Sequence, residues 1–320
     1  MGDNAITDRA FSGYSPHGLV DQDTYSGALS FLRRPYSKQV GNADVVVNGV
    51  PYDLAVTNRP GTRLGPRAIR AASSQIAWAG GPWRWPFDPT EVLEIVDWGD
   101  MNHDHGRPER FPATLEAHAD ALIATGAKML SLGGDHFITY PLLKAHAKQH
   151  GPLALVQFDS HSDTWADDGD RIDHGTMFYR GAREGVIDAA HSVQIGIRSG
   201  NPETHGFTII DADEAIESPL ADLVAKIERV TAGRPVYLSF DIDFLDPAFA
   251  PGTGTPVCGG PTSHRAERIL TSLTGLDIVG ADVVEVSPPF DHAEITALAG
   301  ATVAMNIIGI WAHRKRAAGG

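Results

Sequence analysis

Asp159-Ser160-His161-Ser162-Asp163 and Asp241-Ile242-Asp243 hold the residue types from which oxygen- and nitrogen-ligated metal centres are built. Each follows an apolar run, 153–158 and 236–240, and a third run, 129–132, leads into Gly133-Gly134-Asp135-His136. Two imidazoles and four carboxylates are therefore expected at one end of one sheet. Carboxylates about 5 Å apart repel by roughly 3 kcal/mol per pair at an effective dielectric near 20. Over the whole cluster that approaches roughly 20 kcal/mol, against a net domain stability of about 5–15 kcal/mol. Protons or cations must share such a site, and two divalent cations would balance the four charges. An isolated Asp-x-Asp is ordinarily a turn or a solvated edge, and Gly-Gly-Asp-His alone is a capped turn. Their recurrence after three strand-like runs points instead to a two-metal hydrolytic centre. Oxygen and imidazole donors without thiolate favour Mn²⁺, with Ni²⁺ and Co²⁺ as alternatives.

The elements that must position these residues are legible as Val/Ile/Leu-rich runs at 44–50, 92–96, 128–132, 153–158, 192–197, 207–210, 236–240 and 278–285. They are nearly continuous rather than alternating, as strands covered on both faces are. Helical patterns lie between them at 113–124, 138–150, 220–230, 265–273 and 295–311, and Gly65-Pro66 opens another at 67–72. Strands alternating with helices predict a three-layer α/β/α sandwich around a mainly parallel sheet of about eight strands. In such sheets ligands bind beyond the carboxyl ends of the strands, where His136, Asp159 and Asp241 fall. Two long loops adjoin the motifs. One, 244–262, is rich in Pro and Gly; the other, 164–176, carries Asp167, Asp168, Asp170 and Asp173 and is the expected wall for a cationic substrate tail.

With 320 residues, no linker and no internal repeat, the chain reads as one domain over 1–320 with an N-terminal extension of about 40 residues. Its 26 basic and 40 acidic residues give a net charge of −14, which argues against nucleic acid and suits a cationic ligand. The one cysteine, Cys258, excludes an internal disulfide and a Cys-based zinc site. The polar stretch 1–17 has no signal-like apolar core, and no run approaches 18 apolar residues, so the expectation is a cytoplasmic protein away from membranes.

The motifs resemble those of the ureohydrolases, the arginase/agmatinase superfamily. They stand here as Ser131-Leu132-Gly133-Gly134-Asp135-His136, Phe158-Asp159-Ser160-His161-Ser162-Asp163, Ser239-Phe240-Asp241-Ile242-Asp243, Pro251-Gly252-Thr253-Gly254-Thr255-Pro256 and Val283-Val284-Glu285. Gly61-Thr62-Arg63-Leu64-Gly65-Pro66-Arg67-Ala68-Ile69-Arg70 is similar to the family's opening motif, so the likeness spans 44–312. The resemblance implies metal ligands at His136, Asp159, His161, Asp163, Asp241 and Asp243, a mobile proton-shuttling histidine at His174, and a guanidinium-holding carboxylate at Glu285. It implies a binuclear manganese enzyme assembled as a homo-oligomer, a trimer or hexamer. Asp173-His174-Gly175-Thr176-Met177-Phe178-Tyr179 and Val193-Gln194-Ile195-Gly196-Ile197-Arg198 look most like the bacterial agmatinase branch. The chain departs from the usual pattern at Ser160, Phe244 and Ser287. The bulk of Phe244 beside Asp243 is expected to reshape the pocket.

These readings converge on the hydrolysis of agmatine to putrescine and urea by a metal-bridging hydroxide. Rivals are hydrolysis of another guanidine, such as 4-guanidinobutanoate, 3-guanidinopropanoate or a substituted guanidine or biguanide. A carboxylate tail would call for Arg171 or Arg180. A binuclear phosphoesterase would need basic groups where the loops are acidic. A non-catalytic partner subunit of a mixed oligomer would not need His174 and Glu285.

Overall fold

The computed structural model of the chain describes residue 10 and residues 23–78, 83–167, 169 and 171–319. Apart from residue 10, the 1–17 stretch lies outside the described residues, as do Asp168 and Asp170 of the acidic loop. All eight expected strands are present: β1 Val45–Val50, β2 Ile95–Asp100, β3 Lys128–Gly133, β4 Ala154–Phe158, β5 Val193–Ile197, β6 Thr208–Asp211, β7 Pro235–Asp241 and β8 Asp277–Val284. They form one sheet in the order β2-β1-β3-β8-β7-β4-β5-β6, every pair parallel.

The helices are α1 Gly65–Trp78, α2 Pro89–Val92, α3 Phe111–Ile123, α4 Thr139–His150, α5 Met177–Arg183, α6 Ala212–Glu217, α7 Leu220–Thr231, α8 Ser263–Ser272 and α9 Ile295–Gly319. They cover both faces. Val47, Leu130, Val156, Leu238 and Phe240 pack toward the side that holds α1, α7, α8 and α9, and Val46, Met129, Leu155 and Tyr237 toward the side that holds α3, α4 and α5. Successive strand residues serve opposite layers, so each strand must be apolar throughout. Helix α9 has the length and composition of a membrane span, but it is mostly buried against α1, α8 and β8 as a core helix.

The differences from expectation have local causes. Strand β2 begins at Ile95 rather than 92 because Asp88 accepts a hydrogen bond from the Thr90 amide and caps a helical turn, α2, that runs to Val92. Helices α5 and α6 were not expected, being too short to show a helical period; α6 forms where Asp211 caps the Glu214 amide. The central order β3-β8-β7-β4 is what matters for chemistry. It sets side by side the four strands whose carboxyl ends lead to His136, Glu285, Asp241 and Asp159.

Candidate metal centre

Each motif is held by its own turn. After β3, Gly134 lies so close to Tyr52 that a Cβ there would sit 1.8 Å from the Tyr52 carbonyl oxygen, so only glycine lets the chain pass. Asp135 then accepts from the Phe137 and Ala55 amides, and His136 points into the sheet end. After β4, Asp159 Oδ1 accepts from the His161 amide at 2.6 Å. After β7, Asp241 Oδ1 accepts from the Asp243 amide at 2.8 Å. Ser160 ties the last two turns together, its amide and hydroxyl both donating to Asp243 Oδ1, at 3.1 and 2.8 Å. Asp163 and Glu285 take φ of 52° and 64°, left-handed values uncommon for non-glycine residues.

All six expected ligands come together. His136, Asp159 and Asp241 offer donor atoms within 4.8 Å of one another, and so do Asp159, His161 and Asp243. Asp159 belongs to both groups. His136 Nδ1 lies 3.0 Å from Asp159 Oδ2, 2.9 Å from Asp163 Oδ2 and 3.1 Å from Asp241 Oδ2, yet it makes a directional hydrogen bond to none of them. Its other nitrogen, Nε2, faces the Ser239 hydroxyl at 2.8 Å, and that hydroxyl donates to Asp282. A hydroxyl whose proton is already given must accept, so Nε2 carries a ring proton, and in the neutral ring Nδ1 is the nitrogen that presents a lone pair. A buried lone pair facing three carboxylates is a donor set made for a cation.

The electrostatics agree. Burial, then the charges of Asp243 and Asp159, push the Asp241 carboxyl well above its usual range. Burial followed by Asp159 pushes Asp163 up to about 6. Burial opposes charge on His161 and His136, but Asp243 and Asp159 raise the former to about 12, and Asp159, Asp163 and Asp241 carry the latter well above its ordinary value. Acids driven up beside bases driven up mark a site that wants added positive charge.

His174 stands beside this cluster. Its Nδ1 lies 2.9 Å from Glu285 Oε1, and the Thr57 amide donates to Nε2 at 3.1 Å. Burial lowers its pKa, but the Glu285 carboxylate outweighs burial and lifts it to about 9. The Thr57 amide contact describes the neutral ring, with its proton on Nδ1. Glu285 Oε1 also accepts from the His136 amide, while Oε2 is buried without a partner. An open pocket of about 330 Å³ leads in, lined by Thr57, Trp165, Arg171, Asp173 and Thr255 with His161, Asp163, His174 and Asp241.

Of the acidic loop, Asp173 reaches this pocket, where Arg171 pairs with it at 3.0 Å. Asp167 instead lines a separate small cavity with Tyr179, Arg180 and Glu184. The expectation for Phe244 is corrected. Its ring is fully buried against Phe158 and Phe240, over Gly196, where a Cβ would lie 2.4 Å from it. It turns into the core and does not line the pocket. Thr57 and Trp165 went unnoticed in the sequence because they lie in loops without periodicity. Gln157 and Ser239 were readable in principle, as polar residues inside apolar strands.

The arginase family signature matches residues 43–309. The chain belongs to the arginase family. Agmatinase of Proteus mirabilis is 50% identical over 298 residues, covering 92% of this chain and 97% of that one. A solved structure of a hypothetical agmatinase from Burkholderia thailandensis superposes with a TM-score of 0.93 at 48% identity, covering 98% of this chain and 100% of the other. Proclavaminate amidinohydrolase from Streptomyces clavuligerus follows at TM-score 0.85 and 40% identity, covering 91% and 99%. This arginase-family chain is a ureohydrolase by these relationships, with residue groups able to hold metal.

Proposed function

We propose that this enzyme is an agmatinase, hydrolysing agmatine to putrescine and urea, with two divalent cations, Mn²⁺ foremost, held by His136, Asp159, His161, Asp163, Asp241 and Asp243. The observation that carries the reading is the pair of donor groups meeting at one shared carboxylate, Asp159, beside an open pocket. The 50% identity to an agmatinase supports the substrate. When bound, divalent cations supply Lewis acidity, lowering the pKa of water towards about 7, and offset the clustered carboxylates.

The chain's own residues account for the rest of the chemistry. A guanidinium is planar, permanently charged and carries only donors. Glu285 Oε2, buried and unpartnered, suits one of its N–H groups in a charge-assisted hydrogen bond. Oε1 stays fixed by His174 and the His136 amide, so the carboxylate cannot swing away. His174 holds a proton at Nδ1 and offers Nε2 towards the pocket, beside the Thr57 hydroxyl at 2.8 Å. With its pKa lifted to about 9, the ring can take up a second proton at Nε2, from the water consumed in the hydrolysis, and hand it to the departing amine. Trp165 borders the path of the methylene chain, and among the described residues of the acidic loop Asp173, paired with Arg171, is the one at hand for the terminal ammonium.

Arg171 on the pocket wall favours one second reading, a guanidine with a carboxylate tail such as 4-guanidinobutanoate. The reading includes a homo-oligomer in the cytoplasm, with subunit number measured by light scattering. The deciding experiment is urea release by Mn²⁺-loaded protein across agmatine, arginine, 4-guanidinobutanoate, 3-guanidinopropanoate and alkylated guanidines. Selective turnover of agmatine is expected. A preference for the carboxylate tails would transfer the assignment to the second reading, and no urea from any guanidine would overturn both.

A further inference from the structure

One register position of the sheet is polar across six adjacent strands, directly beneath the metal centre. Parallel pairing aligns Asn48 of β1 with Ser131 of β3, Ser131 with Asp282 of β8, Asp282 with Ser239 of β7, Ser239 with Gln157 of β4, and Gln157 with Gln194 of β5. All are fully buried. A strand covered on both faces is ordinarily apolar, and a buried polar side chain is costly unless hydrogen-bonded. The row therefore needs a reason.

At its β4–β5 end the reason is visible. The Gln157 amide nitrogen donates to Asp159 Oδ2 at 2.7 Å and to the His161 carbonyl at 3.1 Å. Its own carbonyl accepts from the Gln194 amide nitrogen, which also donates to the Ser162 carbonyl. Two of these acceptors are backbone carbonyls, which can only accept, so the direction of the whole chain is forced. A donor must therefore face Asp159. Gln194 keeps this arrangement although its own Oε1 is left buried without a partner, a cost that buried groups seldom bear without function.

Asp159 is the carboxylate common to both donor groups. With Oδ1 held by the His161 amide and Oδ2 by Gln157, its plane cannot rotate away from either cation position. We propose that Gln157, oriented by its cross-strand neighbour Gln194, is a positioning residue that fixes the Asp159 carboxylate for both cations at once. This rests on the two-cation reading above. Partners that orient metal ligands typically change affinity by about 10–100-fold when removed.

The test is Mn²⁺ binding by calorimetry and metal analysis, without substrate, on wild type and on Gln157→Leu, Gln194→Leu and Ser131→Ala. Folding is checked by circular dichroism. Ser131 belongs to the same row but hydrogen-bonds Asn48 and touches no ligand, so it reports what loss of the row alone does. Wild type and Ser131→Ala are expected to bind two equivalents alike. Gln157→Leu should weaken both binding steps by about 10–100-fold, and Gln194→Leu should weaken both by less. If Gln157→Leu does not fold, Gln194→Leu decides. Folded glutamine variants that bind as wild type does, or that weaken one step only, overturn the proposal. Wild type binding fewer than two equivalents would instead overturn the two-cation reading on which it stands.

Discussion

The strand ends and the loop 164–176 meet in one pocket but are built on opposite terms. At the strand ends each of the three motifs is held by a turn of its own, and His136 is only 1% exposed. In the loop, Trp165 is 52% exposed, and Arg171 and Asp173 hold chiefly one another. The first region can fix a geometry; the second can tolerate change. Chemistry shared across a family belongs to the first, joined by His174, the buried loop residue tied to Glu285 and Thr57, and the choice among guanidines to the exposed part of the second.

The sharpest way to break this contrast is Asp159→Asn. Loss of the shared carboxylate should remove both cations and reduce urea formation by at least about 10⁴-fold, read by metal analysis beside a turnover assay. Retention of either cation would mean that the two groups are independent. His174→Ala should leave two cations bound while turnover falls about 10²–10⁴-fold, the usual range for a general acid or base. Unaltered turnover would remove His174 from the chemistry.

Acidification combined with metal analysis probes the strand-end region. Because burial and then Asp159 raise the Asp163 carboxyl to about 6, its proton is bound below that pH and released above it. A cation must displace that proton as well as those that Asp241, His136 and His161 hold at higher pH, so metal retention should fall further as the pH drops through about 6. Dialysis against a pH series with metal analysis checks this; retention unchanged down to pH 4 would contradict it. In the loop, Arg171→Ala frees Asp173 and should lower KM for agmatine about 2–10-fold while raising it for 4-guanidinobutanoate. Equal effects on both substrates would show that this pair does not read the tail. Phe244→Leu is expected to leave substrate preference unchanged and to cost about 1–3 kcal/mol in denaturant unfolding.

Much of the site could be read before the fold was known. Asp159, His161, Asp163, Asp241 and Asp243 announce themselves because a strand's hydrophobic run stops and ligand chemistry begins within one or two residues. What could not be read was direction. Nothing in Asp243-Phe244-Leu245 says whether the ring faces the pocket or the core; the absence of a side chain at Gly196, in a distant strand, decides it. Asp173 and Asp167 look equivalent in sequence, yet the loop path sends one to the pocket and the other to a separate cavity. The helices α5 and α6 carry too few residues for a period to emerge.

The position of β8 in the sheet has a consequence for how the enzyme comes into being. Of the strands, β3 pairs with β1 and β8, and β7 with β4 and β8, so β8 is the seam between an early trio and a later quartet. It is also the last strand to leave the ribosome, since chains emerge from the N-terminus. Until residues 277–284 insert, His136 stands on one partial sheet and the aspartates on another. A nascent chain should therefore acquire its affinity for metal abruptly, when this last strand of the sheet inserts.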